Sequence, residues 1–579
     1  MTMKKIDLTV QNLFWILAIL CFLSLFLFLG ESDFHTRGEP REALVPYAML
    51  ADGNWTLPIT NGTDIAYKPP LFHWAIACVS SIVGEVNEYT SRMPSAIALA
   101  VMVMAGFLFY AKRRGSELAF LASLITLTNF EVHRAGVACR VDMLLSALMV
   151  LALYQLYRWA EKRLQGVPWL GILCLSGAFL TKGPVGVVLP CAVVAIFVWI
   201  RGVNFFRIFF SFLGVALASC IIPALWYIAA WKQGGDQFLT LVLEENVLRF
   251  LGKMTYASHE NPWHYNVMTV VTGFVPYTLL LLFSLFTLKY SKITGKPKQW
   301  WNRFVNYIKQ MDDTRLFSLL SIIIMFVFYC IPKSKRSVYL LPIYPFIAYF
   351  IAEYIVWLVK HKPQSVRWYN NLLGILGAIL TVVFIIVRTG LIPHSLLQGK
   401  HAAENLAYLD ALETLPLSPA NLLIILAPLA IALIYRYKPE YIAKDTSKQL
   451  ELTGCWMAFA LFFALDGVYQ PAVLNVKSNK PIAERILTEA PDTPVYSYIT
   501  RTEPGNRMHP FTMNYYLKGR IVPFIDFAPS NGILLLDEKE YDGFMERYGN
   551  TYTLEEWPDS RYKSNDNREM TRIYRFNKK

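Results

Sequence analysis

The sequence predicts a polytopic α-helical membrane protein with about 13 transmembrane helices, followed by a small α/β domain on the outer side. Three observations predict it. Of 579 residues, 55% are hydrophobic and only 17% charged, which is too apolar for an ordinary soluble globule. Apolar runs of roughly 17–23 residues recur along the chain, about the length a helix needs to cross a bilayer. Lys and Arg collect between alternate runs, as they do in loops facing the cytoplasm. The net charge of +13 therefore follows from topology and implies no nucleic acid.

The first run, 13–29, follows Lys4 and Lys5, and no small-residue cleavage site precedes the acidic loop after it. It reads as a retained signal-anchor helix with its N-terminus inside. Segment 71–86 decides the rest of the topology. If it spans, Lys112, Arg113 and Arg114 fall outside and Asp142 lies opposite Asp33. If it rests in the interface, that basic trio is inside and Asp142 joins Asp33 outside. Its short length and the positive-inside bias favour the interfacial reading. Spans then follow at 92–111, 115–131, 142–159, 167–182, 184–200, 207–230, 264–288, 315–331, 336–358, 370–388, 420–436 and 452–468. The inner loops so defined gather Arg158, Lys162, Arg163, Arg201, Arg207, Lys360, Lys362 and Arg367.

Two units result. Residues 1–469 form the membrane domain, with an outer loop at 31–91 that carries juxtamembrane helices. Residues 470–579 form the outer α/β domain. Within it, strands are expected at 494–499 and 532–536 and a helix at 538–548, with Tyr515, Tyr516, Leu517 and Ile521 in the core. The eight cysteines lie almost entirely in apolar segments and offer no disulfide framework or CxxC zinc pattern. Asn54-Trp-Thr and Asn61-Gly-Thr match the glycosylation acceptor pattern, a short motif that often arises by chance.

Under this topology four polar clusters share the outer face. The first holds Asp33, Arg37, Glu39, Arg41 and Lys68; the second runs from Glu131 through Arg134 to Arg140 and Asp142. A third contains Glu244, Glu245, Arg249 and His259, and the fourth runs from Lys333 through Lys335 and Arg336 to Tyr339. Ionisable groups at a membrane surface beside many spans mark a site for a charged, lipid-linked substrate. Transfer of a group from a lipid phosphate needs cations where the leaving phosphate gains charge. It also uses a carboxylate to steady positive character at a sugar carbon or to take an acceptor proton. Blander readings stand beside these. Asp142 could cap the helix it begins, Arg134 and Arg140 could snorkel, and Tyr339 could belong to an aromatic belt.

Short motifs in a fixed order then carry a resemblance. They are Lys68-Pro-Pro-Leu-Phe-His-Trp74, Ser91-Arg-Met-Pro-Ser95, Arg140-Val-Asp142, Thr181-Lys-Gly-Pro184, Glu245-Asn-Val-Leu-Arg-Phe250, and Ser334-Lys-Arg through Tyr339-Leu-Leu-Pro342. Over about residues 10–350 the chain resembles the ArnT-like bacterial aminoarabinose lipid A glycosyltransferases. These belong to the GT-C superfamily, which includes protein O-mannosyltransferases. The resemblance implies a GT-C fold and sugar transfer from a polyprenyl-phosphate donor at the periplasmic face of the bacterial inner membrane, with the N-terminus cytoplasmic. It matches Asp33 to the family's essential outer-loop aspartate and Asp142 to its second acidic position. Lys68 would hold the donor phosphate with Arg249 and Tyr339, while Arg37, Glu39 and Arg41 fall on the family's charged loop. Arg140, Glu245, His259 and Lys335 complete the expected substrate-binding set.

Two departures matter. Relatives commonly carry an Asp-Glu pair where this chain reads Glu31-Ser-Asp33, and many have Glu where this chain has Tyr67. A metal site using that glutamate is in doubt, and no cofactor is firmly implied. The expected partners are a polyprenyl-phosphate sugar, a lipid A-type or other envelope glycan or protein acceptor, and the bilayer itself. The alternatives are a protein O-mannosyltransferase-like enzyme and a transporter or flippase of lipid-linked sugars. Transporters often carry internal repeats and helices broken near mid-membrane; here the polar clusters sit at span ends, which favours an enzyme.

Overall fold

In lipid only a helix or a closed barrel satisfies its own backbone, so the apolar runs of this chain become helices. The computed structural model describes residues 8–251, 253, 260–289, 297–399, 401–498 and 509–579. Among the described residues, eight helices are long and apolar enough to cross a membrane: Glu88–Arg114, Val141–Glu161, Phe205–Leu248, Asp313–Cys330, Ser337–His361, Pro363–Arg388, Pro419–Tyr437 and Thr446–Asn475. A bent pair, His264–Gly273 and Tyr277–Leu285, counts as a ninth if taken together. Five further apolar helices are shorter: Thr9–Leu25, Leu71–Val83, Ser116–Leu127, Trp169–Lys182 and Val185–Ile200.

The departures from uniform spans have local causes. The run at 115–131 is two helices, Ser116–Leu127 and Phe130–Gly136. Asn129 divides them: its side-chain oxygen accepts from the Val132 N–H at 3.1 Å, while its amide donates to the Ile125 and Thr126 carbonyls. One residue thus caps both ends. The run at 264–288 bends by 102° at Pro276, which has no N–H to continue the ladder. The helix expected at 207–230 continues as Phe205–Leu243, with a break at Gly235, where φ is +56°. Single π-turns occur at Glu244–Leu248 and Leu465–Tyr469.

The juxtamembrane reading of 71–86 corresponds to helix Leu71–Val83 of 13 residues. At about 1.5 Å per residue it is near 20 Å long, well short of a hydrocarbon core of roughly 30 Å. It packs on helix Gly38–Asp52 and on Glu88–Arg114. The latter starts on a capping box, in which Asn87 and Thr90 satisfy each other's backbone N–H groups.

Beyond residue 479 lies a mixed sheet. With β1 Ile59–Thr60 and β2 Asp64–Ile65 pairing in the outer loop, its strands are β3 Val495–Ser497, β4 Ile521–Pro523, β5 Asn531–Asp537, β6 Tyr552–Glu556, β7 Tyr562–Lys563 and β8 Met570–Lys578. The order is β4-β3-β5-β8-β6, with β7 also on β8. Strand β3 is parallel to β4 and β5, and the remaining pairs are antiparallel. Central β5 is an apolar run, Ile533-Leu-Leu-Leu536, buried on both faces as a sheet interior requires. The expected helix at 538–548 starts as a 3₁₀ turn and continues as Tyr541–Tyr548.

This sheet unit sits on the outer loop. Phe34, Ala43 and Leu44 share a buried cluster with Ile486, Val495, Met513, Leu517 and Ile533. The Phe34 N–H donates to Tyr516 Oη at 2.8 Å, and that hydroxyl donates to Glu88 at 2.8 Å. Asn514 donates to Asn61 at 2.8 Å. The tail thereby fixes the loop that carries the charged residues.

Candidate active site

The polar loop that follows the first helix folds back through helix Gly38–Asp52, which turns Glu39 and Glu42 inward and leaves Arg37 exposed. The two inward carboxylates organise two separate cation groups.

Glu42 gathers the first. Its Oε1 accepts from Lys68 Nζ at 2.8 Å and from Arg41 Nη2 at 2.8 Å, and its Oε2 lies 3.0 Å from His73 Nε2. The carboxylate is 6% exposed, whereas Arg41 and Lys68 are 40% and 37% exposed. A buried anion thus stands behind two cations that face outward. Burial opposes ionisation of Glu42, yet Lys68, Arg41 and His73 hold its carboxyl well below the usual carboxylate range. Burial and the neighbouring Arg41 charge push the Lys68 ammonium down, against the pull of Glu42 and Glu245. Glu245 in turn pairs with Arg249 one helical turn on, and Arg249 Nε is 3.4 Å from Ser334 Oγ. Arg41, Lys68, Glu245 and Arg249 are therefore one electrostatic neighbourhood, brought together from three distant stretches of chain.

Glu39 anchors the second group. Its Oε1 accepts from Arg92 Nε at 2.9 Å and from the Cys139 N–H at 2.9 Å, and its Oε2 from Arg92 Nη2 at 3.3 Å. Burial works against the charge, but Arg92 and the Cys139 amide hold Glu39 down at about 2. The Arg92 guanidinium also donates to the Leu29 and Ser32 carbonyls, at 2.7 Å each.

Asp142 opens helix Val141–Glu161 and bonds to Lys182, the last residue of helix Trp169–Lys182. The Lys182 ammonium lies 4.2 Å from the centre of the Tyr339 ring. Arg140, just before that helix, is joined through its backbone to Ser95 Oγ. Its guanidinium lies against Gly38, where a Cβ would come within 2.9 Å of it.

Other expected residues sit elsewhere. Asp33 pairs with Lys480 of the tail at 3.4 Å, and its N–H donates to Asn475 at 2.9 Å. Arg37 is within electrostatic reach of Asp566, also in the tail. Lys335 is buried and donates to the Pro332 and Asn261 carbonyls at 2.6 and 3.1 Å, which ties two loops together. His259 lies outside the described residues. Among those described, the group with metal-ligand spacing is His394, Asp410 and Glu413, in a different loop from Lys68.

The site-forming residues outside the expected set are Glu42, His73, Arg92 and Lys182. His73, Arg92 and Lys182 each stand inside a quoted motif, and the turn at Lys182 was expected on the same side as the polar clusters. Nothing in the local pattern linked Glu42 to His73, 31 residues away.

Residues 67–227 match the family model described as dolichyl-phosphate-mannose-protein mannosyltransferase. The chain is 26% identical over 375 residues to the undecaprenyl phosphate-alpha-4-amino-4-deoxy-L-arabinose arabinosyl transferase of Edwardsiella ictaluri, covering 63% of each chain. It is 27% identical over 359 residues to such a transferase of Proteus mirabilis, covering 60% of each. These alignments span less than two thirds of the relatives' length. In architecture the chain is similar to the crystal structure of ArnT from Cupriavidus metallidurans bound to undecaprenyl phosphate. The TM-score is 0.68 at 18% identity, over 98% of both chains. That likeness establishes the GT-C fold.

Proposed function

We infer that this ArnT-like chain of GT-C fold is an integral-membrane glycosyltransferase that takes a sugar from a polyprenyl-phosphate donor. It passes the sugar to a lipid A-type or other envelope acceptor at the periplasmic face of the inner membrane. One observation carries the reading: Arg41 and Lys68 face outward from the buried Glu42, beside the Glu245–Arg249 pair. This is a seat for a phosphate at the membrane surface.

In the reaction the bond between the sugar's anomeric carbon and the donor phosphate oxygen breaks, and the electron pair leaves with the polyprenyl phosphate. Lys68 and Arg41, with Arg249, take up the charge that gathers there; one well-placed donor of this kind is worth on the order of 10²-fold in rate. The acceptor oxygen forms the new bond at the anomeric carbon. If that oxygen belongs to a phosphate it is already ionised and needs no strong base, and Asp33 acts electrostatically. If it belongs to a hydroxyl, Asp33 accepts the proton after leaving its pair with Lys480 of the tail, 3.4 Å away. Asp142 and Lys182, with Tyr339 beside them, order the wall between these residues and Arg140.

The topology belongs to the same reading. Nine spans, counting the bent pair, and four of the five shorter apolar helices make the thirteen, with Leu71–Val83 left at the surface. Residues 1–469 then form the catalytic membrane domain and 470–579 a periplasmic domain resting on its loop.

The test is transfer from a polyprenyl-phosphate sugar to lipid A in proteoliposomes, alongside mass spectrometry of lipid A and envelope glycans with and without the gene. Loss of one defined sugar on deletion, and loss of transfer in folded Asp33→Asn and Lys68→Ala proteins, is expected. Undiminished transfer in both variants removes the site, and a sugar lost only from protein redirects the acceptor to protein.

A further inference from the structure

The tail closes on one short stretch of the outer loop. The Asp33 N–H donates to Asn475 Oδ1 at 2.9 Å, and the same side-chain amide donates to the Glu31 carbonyl at 2.9 Å. One residue on, the Phe34 N–H donates to Tyr516 Oη, and the Phe34 ring lies 4.8 Å from that of Tyr515. From the membrane side Arg92 holds the Leu29 and Ser32 carbonyls. The backbone on both sides of Asp33 is therefore fixed. Ser32 and His35 stand in the wall of a cavity of about 220 Å³, together with Glu39, Arg140 and Asp466.

These contacts leave open the direction of the Asp33 carboxylate itself. Lys480 Nζ lies 3.4 Å from Asp33 Oδ1, across 447 residues of sequence. Nothing local explains this lysine. It is the first residue of helix Lys480–Glu489, where a cation opposes the helix dipole. Glu484, one turn further along the same helix, is a ready partner at i,i+4, yet the ammonium is turned to the outer loop. Its base is anchored, because the buried Asn479 donates to the Lys563 carbonyl at 3.1 Å and accepts from the Asn565 N–H at 3.3 Å. Burial works against the ammonium, but Asp33 and Glu88 hold it above its usual range, so it stays charged near neutral pH.

The pair does little for stability. Lys480 is 39% exposed, and an ion pair open to water holds a fold only weakly. Asn475, Tyr516 and the buried Phe34 already dock the tail on the loop without it.

We propose that Lys480 is a positioning residue for transfer: its ammonium, supplied by the tail, presets the direction of the Asp33 carboxylate. This rests on the glycosyltransferase reading and adds to its site a residue from outside the membrane domain. The pair is loose enough to open when Asp33 takes a proton. It has no part in the donor seat, whose cations Glu42 organises.

Wild type, Lys480→Met, Lys480→Gln and Lys480→Arg are compared as full chains in proteoliposomes, with folding checked by thermal unfolding. Transfer to lipid A is measured from undecaprenyl phosphate carrying the sugar that gene deletion removes. Lys480→Met is expected to lower kcat about tenfold and to leave the KM for each substrate within about twofold. Misplacing a reacting group by about 1 Å costs roughly 10²-fold, and a loosened carboxylate still visits the right geometry part of the time. Lys480→Arg keeps the charge and recovers most of the rate. Lys480→Gln follows Lys480→Met and replaces it if that protein fails to fold. A second readout needs no turnover: a water-soluble carbodiimide joins the Asp33 carboxyl to the Lys480 amine as an amide, itself taking up the water as its urea. Mass spectrometry should find this cross-link in wild type and not in Asp33→Asn. Unchanged or raised kcat in both Lys480→Met and Lys480→Gln overturns the role, and so does an equal loss in Lys480→Arg, the result of packing alone. A wild type that transfers sugar without forming the cross-link overturns the contact. One that forms the cross-link and transfers no sugar overturns the enzyme reading on which the role rests, with the contact itself established.

Discussion

At the scale of single residues, Glu42 is the position whose importance the sequence hid. It lies one residue past Arg41 in the charged loop, and His73 stands between Phe72 and Trp74 in the motif that begins at Lys68. Their partnership depends on helix Gly38–Asp52 folding against Leu71–Val83, which no local periodicity reports. By contrast Lys68, Arg41 and Asp142 were legible, because a charge between apolar runs is costly unless it is used. Glu42 touches no substrate in the proposed reaction and acts by positioning Lys68 and Arg41. Glu42→Gln keeps the shape and removes the charge that holds both cations. The KM for the polyprenyl-phosphate donor should rise about tenfold, as for one lost charged hydrogen bond, while the acceptor KM stays within about twofold. Glu42→Asp should recover part of the loss, and steady-state kinetics with each substrate varied separately provide the check. Equal rises in both KM values would reduce Glu42 to a packing role.

At the scale of elements, the helices were legible where length and hydropathy act alone and obscure where one residue redirects the chain. Asn129 and Pro276 divide runs that hydropathy counts as single. The strands β3 and β5 were legible from their bounded apolar runs, whereas β7, two residues long, carries no pattern of its own. What joins these elements is Arg92, which ties the end of the first helix, the outer loop and Glu39 to helix Glu88–Arg114. Arg92→Ala leaves Glu39 buried without its cation and should cost about 3–5 kcal/mol near neutral pH. The pH dependence has a definite sign. Glu39 is depressed to about 2 in the fold, so its stabilising contribution is present above the ordinary carboxylate value and lost as pH falls toward about 2. Without Arg92 the buried carboxyl favours its protonated form. The gap between wild type and Arg92→Ala in thermal unfolding should therefore be widest near pH 7 and narrow by pH 4.5. A gap independent of pH would show that Arg92 acts through packing and its carbonyl contacts alone.

For the whole molecule, everything turns on which ends of the helices share a compartment. The basic-loop bias read from the sequence favours one arrangement. Helix Leu71–Val83 has 13 residues and packs against Gly38–Asp52, in the loop that follows the first helix. The Cys139 amide reaches Glu39, and Arg140 lies on Gly38, so the second polar corner meets the first directly. The tail was legible as an α/β unit, but its grip on the loop through Phe34, Tyr516 and Asn514 was not, because those contacts cross more than 400 residues of sequence. Single cysteines at Thr36, Ala138 and Lys539, in a background lacking the native eight cysteines, should react with a membrane-impermeant maleimide in intact spheroplasts. Cysteines at Lys112, Lys162 and Lys362 should react only after lysis. Labelling of Thr36 and Ala138 from opposite sides would make Leu71–Val83 a span, put Asp142 and Asp33 in different compartments, and leave the phosphate seat and the Arg140 cavity unable to serve one reaction.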